Sequence, residues 1–375
     1  MKNYPLLATA AAGIESLVNR ELKDLGYQTQ TENGRVRFEG NAIDIAKTNL
    51  WLRTADRIKL IAGEFKALSF EQLFDQTYNI PWENFLPLDA EFPVSGKSIK
   101  SKLYSVPNCQ RIVKKAIAKR LMDYYARKQP LPETGAKYPI EISLLKDHAM
   151  ITLDTSGTSL FKRGYRTEKG GAPLKENMAA ALIMLTTWYP DRPLYDPTCG
   201  SGTILIEAAL MGHNIAPGLH RKFVAEEWQF FHPEVWKVER QTAEAAIQHE
   251  ATLELYGTDI DARMIEIAKR NAEAAGVANS ITFKQMQLSD FVPKKKYGIL
   301  ISNPPYGDRL LNEEEVHKIY QEMGNIYREM PTWSKYILTS DEDFENYYGE
   351  KATKKRKLYN GALKVHYYQF WATEK

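Results

Sequence analysis

The chain has 375 residues, 43% of them hydrophobic, enough for two or three domains with cores of their own. No run approaches the roughly 18 apolar residues of a membrane span, and the start MKNYPLLATAAAGIES lacks a basic region followed by an apolar core. Two cysteines, Cys109 and Cys199, are too few for a disulfide scaffold or a cysteine zinc site, so the chain reads as cytoplasmic, with neither membrane nor metal as partner. The net charge of +3 divides unevenly: 25 Lys and Arg stand against 18 Asp and Glu up to residue 166, and 25 against 29 beyond it. An anion-binding front half follows from that asymmetry.

Residues 1–65 alternate short amphipathic pieces: a strand at PLLATA, a helix at GIESLVNRELKDLG closed by Gly26, a strand at GRVRFEG and a helix at NAIDIAKTNLWLR. They predict a small α+β unit. Residues 66–165 add a strand at EFPVSGKSIKS, a helix over CQRIVKKAIAKRLMDYYARK, and strands at PIEISLLKD and HAMITLDTSG. On that helix Ile112, Val113, Ala116, Ile117, Leu121 and Tyr124 share one face, while Arg111, Lys114, Lys115 and Lys119 share the opposite one. The window 97–128 holds ten basic residues and one acidic residue, Asp123, a composition that suits either a solvated face or contact with nucleic acid.

From residue 166 to 375, LYDP, LELYGTD, ITFKQMQ, YGILIS and KYILTS read as short apolar strands with helices between them, which calls for a parallel sheet covered on both faces. KKRKLYNGALKVHYYQFW then makes two alternating runs around Asn360-Gly361, a hairpin signal. An aromatic-rich insertion at 211–248 has no evident place in that sheet, and its His213, His220 and His232 lack metal-ligand spacing.

DPTCGSGT, residues 196–203, is a strand end, a glycine turn and a helix start. No Lys-Ser or Lys-Thr follows the glycines, which excludes a phosphate-cradling loop, and the third glycine of a nicotinamide fingerprint is missing. A nucleoside cofactor without a diphosphate remains, with Gly200 and Gly202 allowing close approach of the backbone and Asp196, Thr198 and Thr203 of the same stretch as further candidate contacts. Asp259, ending LELYGTD, can accept both ribose hydroxyls, and Asp290 in QLSDF can accept from an adenine amino group. All lie at carboxyl ends of successive strands. ILISNPPYG, residues 299–307, leaves a strand through two prolines. It is either a rigid turn or a pocket for a flat amino-bearing group. In the second reading Asn303 and the Pro304 carbonyl accept from the amino group, and Tyr306 stacks on the ring.

DPTCGSGT, GTDID, QLSDF and NPPYG in that order, with the terminal hairpin, resemble class I S-adenosylmethionine-dependent amino-methyltransferases. RGYRTEKGGAPLKENMAAALIML and NIAPGLHRKF narrow the likeness to bacterial 23S rRNA guanine amino-methyltransferases of the RlmL type, which carry an N-terminal THUMP domain. The resemblance implies a Rossmann-like seven-stranded sheet with a C-terminal antiparallel hairpin over 166–375, preceded by a ferredoxin-like subdomain at 1–65 and a THUMP domain at 66–165. It implies S-adenosylmethionine as cofactor, and as partner an RNA from 23S rRNA or an assembling large ribosomal subunit, gripped through Arg111, Lys114, Lys115 and Lys119. Lys175, Glu176 and Asn177 either flank the cofactor or simply start a helix. Three rivals stay open: an adenine amino-methyltransferase on DNA or RNA, a protein glutamine amide methyltransferase, and a non-catalytic RNA-binding ribosome assembly factor.

Overall fold

The computed structural model describes residues 2–166, 174–229, 231–232, 234–293, 295–305 and 312–373. Seven short strands open the chain, all but the polar β2 with alternating or continuous apolar positions: β1 (Tyr4–Thr9), β2 (Thr29–Glu32), β3 (Arg35–Gly40), β4 (Arg57–Lys66), β5 (Val94–Ile99), β6 (Ile140–Leu145) and β7 (His148–Asp154). They form one sheet in the order β2-β3-β1-β4-β7-β6-β5. Every neighbouring pair is antiparallel except β5 with β6. The helices between them are α1 (Glu15–Asp24), α2 (Ala42–Trp51), α3 (Phe70–Asn79) and α4 (Val106–Tyr124). Local chemistry sets their starts: Asn41 accepts from the Ile43 amide while Asp44 accepts from the Asn41 amide, a reciprocal cap, and Ser69 caps α3 through the Gln72 amide. The position expected to divide two subdomains, 65/66, falls within β4, which pairs with β1 on one side and β7 on the other.

By compactness this sheet belongs to a unit made of residues up to Thr9, Glu21–Leu160 and Lys222–Thr242. The last segment explains much of the aromatic insertion. Trp228 stacks on Tyr138 with ring centres 4.9 Å apart, its indole N–H donates to the Lys137 carbonyl at 2.8 Å, and the Ala225 amide donates to the Thr155 carbonyl at 3.2 Å.

The second unit takes Ala10–Arg20, Phe161–Arg221 and the chain from Ala243 onward. Its strands are β8 (Leu194–Asp196), β9 (Leu255–Asp259), β10 (Ile281–Gln285), β11 (Ile299–Ser302), β12 (Ser334–Thr339), β13 (Lys354–Asn360) and β14 (Leu363–Phe370). The helices after α4 are α5 (Glu176–Met184), α6 (Thr203–Gly212), α7 (Glu234–Ala245), α8 (Ala262–Ala274), α9 (Glu313–Arg328) and α10 (Phe344–Tyr348). The sheet order is β10-β9-β8-β11-β12-β14-β13, parallel through β12, with β14 and β13 added antiparallel. This is the expected Rossmann-like sheet with its terminal hairpin. β8, β9 and β10 build outward to one side and β11 and β12 to the other, so the order reverses at β8. Ligands of open α/β sheets sit outside the strand carboxyl ends at such a reversal. Ile14 and Leu17, in and beside the first turn of α1, are buried in the same apolar cluster as Leu182, Leu205, Leu358 and Tyr367.

Candidate functional site

The loop after β8 is shaped by glycine and held by backbone bonds. Gly200 and Gly202 have φ of +51° and +79°, the left-handed region that glycine enters without strain. A Cβ at Gly202 would lie 2.9 Å from the Phe283 ring and 3.0 Å from the Ala268 methyl, so no larger residue fits there. At Gly200 the nearest atom would be a Met264 methyl at 3.9 Å, which leaves open space in front of the backbone. The Cys199 amide donates to the Thr258 carbonyl and the Gly200 amide to Asp259 Oδ2, each at 2.9 Å, so the end of β9 fixes the loop. Asp259 Oδ1 accepts from the Asp261 amide at 2.9 Å. Each oxygen retains a lone pair for a further donor.

Two carboxylates and several orphan acceptors mark this edge. Asp196, 2% exposed at the end of β8, accepts from the Thr198 amide at 3.2 Å. Burial lifts its carboxyl to about 8, the nearby Asp259 charge adds to the rise, and the Thr198 amide opposes it. Burial also raises Asp259, against the Asp261 and Gly200 amides. Thr198 Oγ1 is buried without a hydrogen-bond partner. Thr203 opens α6 directly after Gly202. Asp290 lies exposed in a short 3₁₀ turn after β10.

At the end of β11, four buried residues, Ile299–Ser302, deliver Asn303, whose Oδ1 is buried and has no hydrogen-bond partner among the described residues. Pro304 beside it is buried. Tyr306 lies outside the described residues. Asn303 and Asp259 therefore share the carboxyl edge of one sheet, flanking β8 on its two sides.

A polar layer ties Thr203 and Glu176, both candidates from the sequence, to Arg163, Arg166, Glu207 and Asn271, which the sequence did not single out. Arg166 donates to Thr203 Oγ1 and to the Leu174 carbonyl at 2.9 Å each, and its Nε lies 3.7 Å from the buried Glu176. Arg163 pairs with Glu207 at 3.2 Å, both side chains almost fully buried, and the Tyr165 hydroxyl donates to Glu207 at 3.1 Å. Asn271 donates to the Ser201 carbonyl at 3.1 Å. Together they brace the start of α6 and the glycine loop from below. Glu207 did leave a signal, as the one charge in the apolar run TILIEAALMG.

On α4 the buried stripe is Cys109, Val113, Ala116, Ile117 and Leu121, whereas Tyr124, expected on that face, is 58% exposed. The cations also differ from one another. Lys114 is folded back: it bonds the Glu133 carboxylate and the Phe92 carbonyl, and its ammonium sits 3.8 Å from the Phe92 ring centre. Lys119 is engaged with Asp123 at 2.6 Å. Arg111 and Lys115 are exposed and have no carboxylate partner among the described residues. Among the described residues, no group of three His, Cys, Asp or Glu could hold a metal ion, and no helix is long and apolar enough to cross a membrane.

Three known families match the chain in succession: the RlmL ferredoxin-like domain at residues 5–59, the THUMP domain at 67–154, and the RMKL-like methyltransferase domain at 163–369. YpsC of Bacillus subtilis (strain 168), named as a candidate RNA methyltransferase, is 54% identical over 99% of this chain and 97% of its own length. The ribosomal RNA large subunit methyltransferase K/L of Shewanella frigidimarina is 35% identical over 96% of this chain, which spans only 52% of that relative. Among solved structures, SMU.472, a candidate methyltransferase crystallised with S-adenosylhomocysteine, is 53% identical with a TM-score of 0.96 over all of both chains. A Listeria monocytogenes str. 4b F2365 protein described as a predicted N6-adenine-specific DNA methylase is 56% identical with a TM-score of 0.95, covering 99% of this chain and 97% of its own.

The residues present fit S-adenosylmethionine. The open space before Gly200 admits a ligand against the backbone, Asp259 offers acceptors for ribose hydroxyls, and no cation stands in the loop to meet a diphosphate. The match of sequence, fold and site together places the chain in the THUMP-containing, S-adenosylmethionine-dependent RNA methyltransferases of the RMKL-like family.

Proposed function

We propose that this protein methylates the exocyclic amino group of a guanine in 23S ribosomal RNA. The observation that carries the reading is the buried Oδ1 of Asn303, beside Pro304 at the end of β11, which has no hydrogen-bond partner among the described residues. A buried acceptor left without a donor costs stability, and a substrate amino group would satisfy it. S-adenosylmethionine supplies an already activated methyl group, so the chain's own work is alignment and polarisation. Asn303 Oδ1 and the Pro304 carbonyl each accept one N–H of the amino group, which draws its lone pair out of ring conjugation and towards the methyl. The N–C bond forms as the methyl–sulfonium bond breaks to leave a thioether, and the surplus proton of the methylated amine, now acidic, passes to water, so no strong base is needed beforehand. Tyr306 provides the stacking face, and an extruded base costs a few kcal/mol that stacking and backbone contacts offset. The front half supplies phosphate contacts.

Large-subunit rRNA as the substrate is supported by the K/L relatives, and guanine by the likeness of the RGYR and APLKEN segments. The Listeria protein's description favours a second reading, adenine in DNA. Nucleoside mass spectrometry of rRNA from cells with and without the protein separates them. Loss of one methylguanine from 23S rRNA is expected; intact rRNA alongside loss of N6-methyladenine from DNA would overturn the proposal.

A further inference from the structure

Beyond residue 166 the chain is acidic on balance, yet its last hairpin is not. Residues 351–364 carry Lys351, Lys354, Lys355, Arg356, Lys357 and Lys364 and no carboxylate. β13 is the edge of the sheet and pairs only with β14. Strand alternation turns Leu358 into the core on one face and places Lys355, Lys357 and Tyr359 on the other. The register sets Lys355 opposite Tyr368, Lys357 opposite His366 and Tyr359 opposite Lys364, so three lysines gather on one face of the two strands.

These cations are little neutralised. The Lys355 ammonium lies 4.6 Å from the Tyr368 ring centre and that of Lys357 lies 5.3 Å from Tyr359, and neither has a carboxylate partner among the described residues. Lys364 meets Glu342 with both side chains largely in solvent, a contact of small net worth. Burial first, and then the charges of Lys355 and Lys364, lower the pKa of His366, with Glu342 opposing and Lys357 adding a little. β13 runs parallel to β12, so its Asn360 end and the hairpin turn lie on the same carboxyl edge as Asn303 and Asp259.

Edge lysines commonly serve only to prevent edge-to-edge pairing. Here they share one face, Lys355 and Lys357 have no carboxylate partner among the described residues, and the face leads to the proposed reactive edge. We infer that the Lys355–Lys357–Lys364 face is a second RNA-backbone contact, carried by the methyltransferase unit itself, which holds the strand flanking the nucleotide presented to Asn303. The inference rests on the RNA-methylation reading above and adds a grip that the basic front half does not account for.

The test uses the full chain with Lys355→Gln, Lys357→Gln and Lys364→Gln combined, a 23S rRNA fragment titrated across salt, S-adenosylhomocysteine calorimetry, and sedimentation. RNA affinity is expected to fall about tenfold or more near 0.1 M salt, and the log–log salt slope to become shallower by about two, since each lost phosphate contact removes roughly 0.7. S-adenosylhomocysteine affinity stays the same, and the triple Lys→Arg variant keeps the wild-type RNA affinity. If the triple variant loses cofactor binding, Lys355→Gln with Lys357→Gln alone decides the matter with a proportionally smaller slope change. Unchanged RNA affinity and slope overturn the inference, and self-association with unchanged RNA affinity assigns the lysines to edge protection instead. Wild-type protein that binds no rRNA overturns the substrate reading and this inference together.

Discussion

The Gly200 amide donates to Asp259 Oδ2 at 2.9 Å, joining residues 59 positions apart in the chain. One carboxylate thus shapes the glycine loop and, in the proposed site, is the acceptor for the cofactor's ribose hydroxyls. Asp259→Ala removes both contributions. S-adenosylhomocysteine binding should weaken by about 1.5 to 3 kcal/mol, the range for charge-assisted hydrogen bonds. Calorimetry giving the wild-type affinity in a folded variant would take Asp259 out of the site.

Asn303→Ala deletes an acceptor that is buried and has no partner among the described residues. Its melting temperature should therefore hold or rise slightly, and S-adenosylhomocysteine should still bind, while single-turnover methyl transfer to an rRNA fragment falls steeply. Tyr306→Ala should mainly weaken capture of the base, by roughly 1 to 3 kcal/mol. A destabilised Asn303→Ala that retains turnover would make the loop a rigid corner and nothing more.

Of the five α4 cations, the four expected to face RNA, Arg111, Lys114, Lys115 and Lys119, should not behave alike. Charge reversal at Arg111 and Lys115, exposed and without carboxylate partners among the described residues, should lower RNA affinity and flatten its salt dependence. Lys114→Glu sets a negative charge against Glu133 and abandons the Phe92 contacts, so its first effect should be a lower melting temperature. Equal RNA affinity in the Arg111 and Lys115 variants would reduce this face to a solvated one.

Asp196 makes stability depend on pH in a definite direction. Its folded carboxyl titrates near 8 and its unfolded one near 4, so between those values the native state keeps a proton that the unfolded chain has released. Stability should fall as pH rises through that window, by up to about 1.4 kcal/mol per unit from this group. Asp259 and Glu176, also raised by burial, act in the same sense. Melting curves of cofactor-free protein from pH 5 to 8 should be flatter for Asp196→Asn, and identical slopes would show Asp196 ionised in the fold.

The parallel strands, the Asn360-Gly361 hairpin and the carboxyl-edge residues were legible because period and turn chemistry are local. β4 escaped the reading because its second half, Ala62–Lys66, gives no buried run, and only its pairing with β7 makes it a strand. Lys114 looked like its neighbours on a helical wheel, because Glu133 and Phe92, which capture it, are distant in sequence. Arg163, Arg166 and Asn271 were invisible as braces for the same reason: their partners meet them through the fold.

Ile14 and Leu17 are made more than 300 residues before Leu358 and Tyr367, with which they share a core. During synthesis that apolar surface cannot be fully covered until the closing hairpin emerges, even once Leu182 and Leu205 of the same cluster have been made. The hairpin then acts as a late seal: Gly13, at φ +96°, brings its backbone so close to β13 that a Cβ there would sit 2.9 Å from the Lys357 carbonyl oxygen. A chain stalled before β13 should be cut readily by protease around residues 10–20, and completion of the last strands should abolish that cleavage.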